Sequence, residues 1–357
     1  MRVLLLIDDL SNTAVHDEAE FLLYRLDRTR IQTTIGSLHP GISGIDYSIN
    51  TRRLLDFAAS YRLAKLIREQ DIELIHVLDE RSIYNAVLAG LLADRPVLVS
   101  IHHIAPETTF LRRLVQRFGW RLLQHLIARV IVPSELMQRR FRRVTEFPRE
   151  RIDIIYPSIT GITTPSEAER SFLALPEHPL ICIPIWQSDD GYNAIFDALP
   201  RVKQRVPDAN TIVIGKQSAL STWQRRFANS RPTFPIRWLT DVERMPAVLA
   251  SSDVIVMHTS QDRWPDELVM AVMYGRPVVA PRVSGVTEII ESAITGLLVT
   301  PGDVRDLALQ TVRLLTQPEY AQRLGLRAQE QARKTFSPER RRDTLTTLYE
   351  ATIYASR

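Results

Sequence analysis

The sequence predicts two α/β domains, each a parallel β-sheet covered by helices. Three observations carry this reading. Short apolar runs alternate with stretches of helical periodicity along most of the chain, the pattern of βα units. The alternation stops over residues 156–179, which are rich in Pro, Ser, Thr and Glu, and then resumes. At 357 residues the chain has room for two hydrophobic cores of ordinary size.

The elements follow in order. Residues 3–7 form a five-residue apolar run closed by Asp8 and Asp9, too short for the core of a signal peptide and suited to a buried strand. A helical pattern over 17–26 leads to a strand at 33–35, and a longer helix over 52–69 leads to a strand at 74–77. A helix at 82–92 is followed by strands at 97–101 and 130–132. Between those two strands, Leu111, Leu114, Val115, Phe118, Leu122 and Leu126 recur at helical spacing over residues 110–127. The second series runs strand 180–185, helix 194–205, strand 211–214, helix 246–250, strand 254–257, helix 267–274 and strand 277–280. These strands are nearly continuous runs of Val, Ile and Leu, as strands buried on both faces require. Two such sheets joined by one hinge are expected to share a cleft at their strand ends, where doubly wound sheets bind ligands.

With 45% hydrophobic and 24% charged residues the chain is an ordinary globular one rather than disordered or fibrous. Its one cysteine, Cys182, cannot form an internal disulfide and fits a reducing compartment. No run approaches the roughly 20 apolar residues of a spanning helix. The expected location is the cytoplasm, extending to the inner face of the membrane. The net charge of +4 is too small to indicate nucleic acid as a partner. It is unevenly placed: residues 110–151 carry eleven arginines against three glutamates, so the remainder is net acidic. Arg112, Arg113 and Arg117 lie within this strip. They offer either a contact for anionic headgroups or a solvated basic face.

The most informative stretch is residues 258–303. It reads as a strand end, a polar loop, a helix opened by Pro265-Asp266-Glu267 and closed by Gly275, a buried strand, and turns at Gly285 and Thr295-Gly296. Three phrases stand out within it: Gly275-Arg276-Pro277-Val278-Val279-Ala280, Gly285-Val286-Thr287-Glu288-Ile289-Ile290, and the run from Thr295 to Asp303. In this order they resemble the carboxy-terminal half of the GT-B glycosyltransferases of family 4. The first strand, the strand ending at Val77, the run through His103, the run through Glu135 and Phe336-Ser337-Pro338-Glu339 extend the resemblance over the whole chain.

The resemblance implies a GT-B fold of two Rossmann-like doubly wound parallel-sheet domains. Residues 1–160 would form the acceptor side, 175–335 the nucleotide-sugar side, and 336–357 a helix returning to the amino-terminal domain. It further implies transfer of a sugar from a nucleotide-diphosphate sugar to an acceptor, lipid-linked or polysaccharide, with retention, no cofactor and no bound metal. Carried over by position, His102 and Asp262 are the expected catalytic residues. Gly215, Lys216, Trp264, Pro265, Asp266, Glu267, Leu268 and Met270 are the expected donor-binding residues, the helix opening at Trp264–Leu268 offering backbone N–H groups to a phosphate. The chain departs from the family pattern at four places. Ile185 and Asp190 stand where an Arg and a Lys normally meet the diphosphate, and Met270 stands where a glutamate holds ribose hydroxyls. The loop over 11–16 also lacks the family's glycines. A competing reading is therefore a catalytically inactive GT-B relative acting as a sugar-binding or partner subunit.

Each candidate has a plainer reading beside it. His76, inside a central strand, reads as a hydrogen-bonded core histidine. His102 or its neighbour His103 can be a structural residue at a strand end. Asp266 and Glu267 suit a helix amino terminus by charge alone, and Trp186 and Trp264 can pack on neighbouring loops as well as stack on a sugar or base. Ser134 and Ser158 lack the Gly-x-Ser-x-Gly setting of a hydrolase nucleophile, and no phosphate-binding P-loop or dinucleotide motif is present.

Overall fold

The computed structural model describes residues 1–8, 13–39, 45–51, 53–103, 119–159, 179–186, 191–229, 235–259 and 264–356. The chain divides into two units, Met1–Pro157 with Pro338–Arg357, and Ser158–Ser337. The first holds seven strands: β1 (Arg2–Ile7), β2 (Gln32–Ser37), β3 (Tyr47–Ser48), β4 (Leu74–Val77), β5 (Val97–Ser100), β6 (Arg129–Val132) and β7 (Ile152–Ile154). The second holds six: β8 (Leu180–Ile185), β9 (Asn210–Gly215), β10 (Arg237–Leu239), β11 (Val254–Val256), β12 (Val278–Pro281) and β13 (Leu297–Val299). The sheets run β3-β2-β1-β4-β5-β6-β7 and β10-β9-β8-β11-β12-β13, and every strand pair is parallel. Both therefore reverse direction of growth next to their first strand, the doubly wound arrangement.

The predicted strands fall where the apolar runs put them, because burial on both faces leaves no other place for them. Boundaries shift where capping chemistry overrides periodicity. The helix expected from residue 52 begins at Phe57, since the Asp56 side chain accepts a hydrogen bond from the Ala59 N–H and sets the first turn there. The helix Glu135–Thr145 was not expected. Its four arginines hide an apolar face of Leu136, Met137, Phe141 and Val144, all buried. Ser134 caps it by accepting from the Met137 N–H at 3.0 Å. Helices Gln217–Asn229, Val304–Thr316 and Pro318–Thr335 and the short strands β3, β7 and β10 also went unpredicted. The first half of the helix expected over 110–127, with Arg112, Arg113 and Arg117, lies outside the described residues, as does most of the stretch 156–179. Elsewhere in the basic strip several arginines have structural partners. Arg121 pairs with Glu146 at 2.7 Å, Arg129 with Asp153 at 2.7 Å, and Arg151 donates to the carbonyls of Gln124 and Ile127. No helix among the described residues is long and apolar enough to cross a membrane.

In the first unit strand alternation sorts the side chains between two cores. Leu4, Leu6, Ile75, Val77, Val97 and Val99 face one, against helices Phe57–Glu69 and Ile83–Ala93. Val3, Leu5, Ile7, Leu74 and Leu98 face the other, against helix Thr13–Tyr24 and the last helix, Pro338–Ala355. That last helix joins the first unit through Leu345, Leu348, Tyr349 and Ile353, spaced to lie on one face.

This second core also carries polar groups. His76 of β4 is fully buried; its Nδ1 lies 2.7 Å from the Tyr349 hydroxyl and its Nε2 2.8 Å from Ser100 Oγ. Both ring nitrogens are therefore used, one as donor and one as acceptor. Glu18 is buried and ion-paired with Arg341, whose guanidinium also lies over the Phe21 ring at 4.3 Å. Burial pushes the Glu18 carboxyl up, but the charge and hydrogen bond of Arg341, with His102 and His76, together outweigh it and hold the carboxyl below its usual range. Burial dominates at His76 and lowers its pKa to about 3, against an opposing pull from Glu18.

Two outcomes follow from these contacts. Ser134→Ala should lower the urea midpoint by an amount equivalent to about 1 kcal/mol, the usual effect of losing a helix cap. Second, because the folded-state pKa of His76 lies below its unfolded value, the unfolded chain binds the extra proton, and stability falls as pH drops below about 6.5. Urea titrations between pH 6.5 and 5 should show His76→Gln flattening that slope by up to about 1.4 kcal/mol per pH unit.

Candidate functional site

In a parallel sheet all strands end on one side, so each unit gathers its polar strand-end residues along one edge. In the first unit β1 runs into Asp8, β2 into His39, β4 into Asp79 and β5 into Ile101, His102 and His103. The sheet order places β2 and β4 on opposite sides of β1, so Asp8 and Asp79 flank its switch point. The Asp8 N–H donates to Asp79 Oδ2 at 2.6 Å, and Asp79 also accepts from the Ser82 N–H and hydroxyl, each at 2.9 Å. His39 and Arg81 approach the Asp8 carboxylate at 3.7 and 3.6 Å. Burial pushes the Asp79 carboxyl above its usual range, partly offset by those hydrogen bonds. Sequence reasoning passed over Asp8 and Asp79 as site residues. The available signal was that two apolar strands, Leu5-Leu6-Ile7 and Ile75-His76-Val77-Leu78, each run out into an aspartate.

His102 stands two residues beyond Ser100, on the same side of the extended chain. Its Nε2 is buried and makes no hydrogen bond among the described residues, whereas His103 is exposed. Burial lowers the His102 pKa. Glu18 works against that shift and Arg341 with it. The ring is uncharged at neutral pH and keeps one donor and one acceptor nitrogen. An unpaired buried nitrogen costs on the order of 1–3 kcal/mol, which a bound polar ligand would recover.

In the second unit the register pairs Ile185 with Gly215, so the residues that follow, Trp186 and Lys216, emerge side by side. The Lys216 ammonium lies 5.9 Å from the Trp186 ring centroid. Gly215 is required by the sheet itself, since a Cβ there would overlap the Ile185 carbonyl oxygen. Ile185, at the family's arginine position, is fully buried in the core among Ile183, Tyr192 and Leu220. His258 follows β11; its ring packs edge-on against Tyr192 at 5.1 Å and fills the space a side chain on Gly191 would need. The Tyr192 hydroxyl donates to the carbonyls of Pro184 and His258. His258 and Tyr192 were not singled out in the sequence, because neither belongs to a local motif and only the fold brings them to one strand end.

The helix predicted to face a phosphate spans Asp266–Met273, following Pro265. Asp266 is exposed and Met270 half-buried, while the Glu267 and Leu268 side chains are withdrawn from solvent. The expected set of backbone donors is also reduced: the Leu268 N–H bonds to the Pro265 carbonyl at 3.0 Å, closing the first turn. Trp264 packs edge-on against Phe336 with ring centroids 6.1 Å apart. Asp262 and Asp190 lie outside the described residues.

Comparison with known proteins bears on the same two units. The family described as Glycosyltransferase Family 4 matches residues 25–160, and Glycosyl transferases group 1 matches residues 180–317. A phosphatidyl-myo-inositol mannosyltransferase of Propionibacterium freudenreichii is 24% identical over 72% of this chain, a match spanning 65% of that relative's length. An N-acetyl-alpha-D-glucosaminyl L-malate synthase of Bacillus anthracis is 22% identical over 85% of this chain and 81% of its own. Among solved structures, that of Anabaena HepE in complex with UDP is similar over 98% of this chain and 100% of the other, with a TM-score of 0.78 and 16% identity. The two family matches, on consecutive doubly wound sheets that the HepE fold reproduces along their length, show that this chain belongs to the family 4-like GT-B glycosyltransferases.

Proposed function

We propose that the protein transfers a sugar, with retention, from a nucleotide-diphosphate sugar to a hydroxyl acceptor. The second unit holds the donor and the first holds the acceptor. The observation that carries this reading is His102: a neutral imidazole at a strand end, its Nε2 buried and lacking a hydrogen-bond partner among the described residues. Such a ring can accept from or donate to a sugar or acceptor hydroxyl without adding charge to the reacting centre. Asp8 and Asp79, at the switch point of the same sheet, supply acceptor oxygens for further hydroxyls.

On the donor side Lys216 takes over the work of the missing arginine and lysine. With Ile185 committed to the core, it is the cation that the β8–β9 register delivers to the strand ends, beside the Trp186 ring on which a base or sugar can stack. The N–H groups that open the helix Asp266–Met273 assist with the departing diphosphate, and Asp262 approaches the donor sugar as the family pattern implies. The reaction as proposed needs no cofactor. UDP is the nucleotide in the HepE complex, and lipid-linked acceptors fit the name of the inositol mannosyltransferase relative; Arg112, Arg113 and Arg117 would bring the enzyme to an anionic inner membrane face.

Thermal-shift titration with a panel of nucleotide-diphosphate sugars should raise the melting temperature with at least one donor. With that donor, His102→Ala should lower kcat by about 100-fold or more while leaving donor affinity within a few fold. Lys216→Ala should act the other way, raising the donor KM by roughly 10-fold through loss of a charge-assisted contact, with a smaller change in kcat. Absence of stabilisation by every donor at millimolar concentration would instead support the reading of an inactive binding subunit.

A further inference from the structure

We propose that the hydrogen-bonded chain Tyr349–His76–Ser100, fastened by the Glu18–Arg341 ion pair, positions the His102 ring, so that the last helix governs the catalytic step from within the first unit. The proposal rests on the reading of His102 given above and adds five positioning residues to it. The helix Pro338–Ala355 is remote in sequence from β4 and β5, yet its Tyr349 hydroxyl reaches His76 Nδ1 at 2.7 Å and His76 Nε2 reaches Ser100 Oγ at 2.8 Å. His76 and Ser100 are each no more than 2% exposed. The Tyr349 ring, also fully buried, meets the His76 ring edge-on, with centroids 5.6 Å apart and planes at 76°.

His76 has no ring nitrogen left for a substrate, which excludes it as a proton donor or acceptor in the reaction and leaves it the task of fixing its neighbours. Ser100 is two residues before His102 and shares its side of the chain, so holding the Ser100 side chain sets the backbone that carries His102. Apolar side chains would fill this core at no desolvation cost, whereas a buried polar chain specifies one geometry when every member is satisfied. Among the described residues, the charged and titratable groups that interact with His102 are Glu18 from the helix Thr13–Tyr24, Arg341 from the last helix and His76 from β4, with His103 beside it in the chain. Glu18 and Arg341 both act electrostatically on His102, and Asp17 also interacts electrostatically with Arg341.

The test uses the full chain with Tyr349→Phe, Ser100→Ala and Ser100→Thr. Each change is milder than breaking the Glu18–Arg341 pair, which would strand a buried charge. The His102 imidazole is followed by NMR through a pH titration, its signal assigned as the one lost in His102→Ala, alongside kcat and KM for transfer and the melting temperature. Tyr349→Phe and Ser100→Ala should each move the His102 resonances and lower kcat about 10-fold with donor KM within twofold, and Ser100→Thr should restore both. If the two variants lower only the melting temperature, with the His102 resonances and kcat unchanged, the network is structural and the proposal is overturned. Should the wild type transfer no sugar, the functional reading fails, while the resonances still decide whether the network positions the ring.

Discussion

Parallel pairing of strands that are buried on both faces constrains everything else in this protein. Such strands can carry almost nothing but Val, Ile and Leu through their middles, because an unpaired polar group there loses its hydration with no replacement. Polar chemistry is displaced to the strand ends, and since all strands in a sheet run the same way the displaced groups collect along one edge. Asp8, Asp79 and His102 collect in this manner in the first unit, and Trp186, Lys216 and His258 in the second. Neither group needs a local sequence motif to assemble it; the hydrogen-bond register does so, as the Ile185–Gly215 pairing shows for the two residues that follow it.

One exception to the apolar interior is the polar chain through His76. Its members are tolerated because each hydrogen bond has a partner, and because the buried carboxylate of the same core, Glu18, has a guanidinium against it. The last helix supplies both Tyr349 and Arg341, so it contributes more than apolar area to the first unit. The same arrangement ties the protonation of the core to pH, since a histidine held neutral by burial and a carboxylate held ionised by an arginine both resist what acid imposes.

The departures from the family's donor-binding pattern have a partial physical account. Ile185 belongs to the core packing of the second unit rather than to its edge, and Leu268 spends its N–H on the first turn of its own helix. Under the proposed donor reading charge compensation falls to Lys216, whose position follows from the adjacent strand and whose ammonium lies 5.9 Å from the Trp186 ring centroid. Part of the arginine-rich strip is likewise absorbed by the fold, through Asp153, Glu146 and backbone carbonyls, so its formal charge overstates what it presents to a partner.

By itself the sequence determined the class of fold, the order of the central strands along the chain and the identity of His102 and Lys216 as residues at strand ends. Apolar runs and turn residues are local signals, and a strand end is a local property. It did not show the arginine-masked helix Glu135–Thr145, the short edge strands, or the pairing of His76 with Tyr349 and of Glu18 with Arg341. The last two join residues more than 270 positions apart, and a hydrogen bond between distant segments leaves no periodicity to read. Only the tertiary structure decided that Ile185 points into a core and that the last helix brings a tyrosine to His76 of β4 and an arginine to Glu18 of the helix Thr13–Tyr24, because those outcomes depend on which faces of distant elements are pressed together.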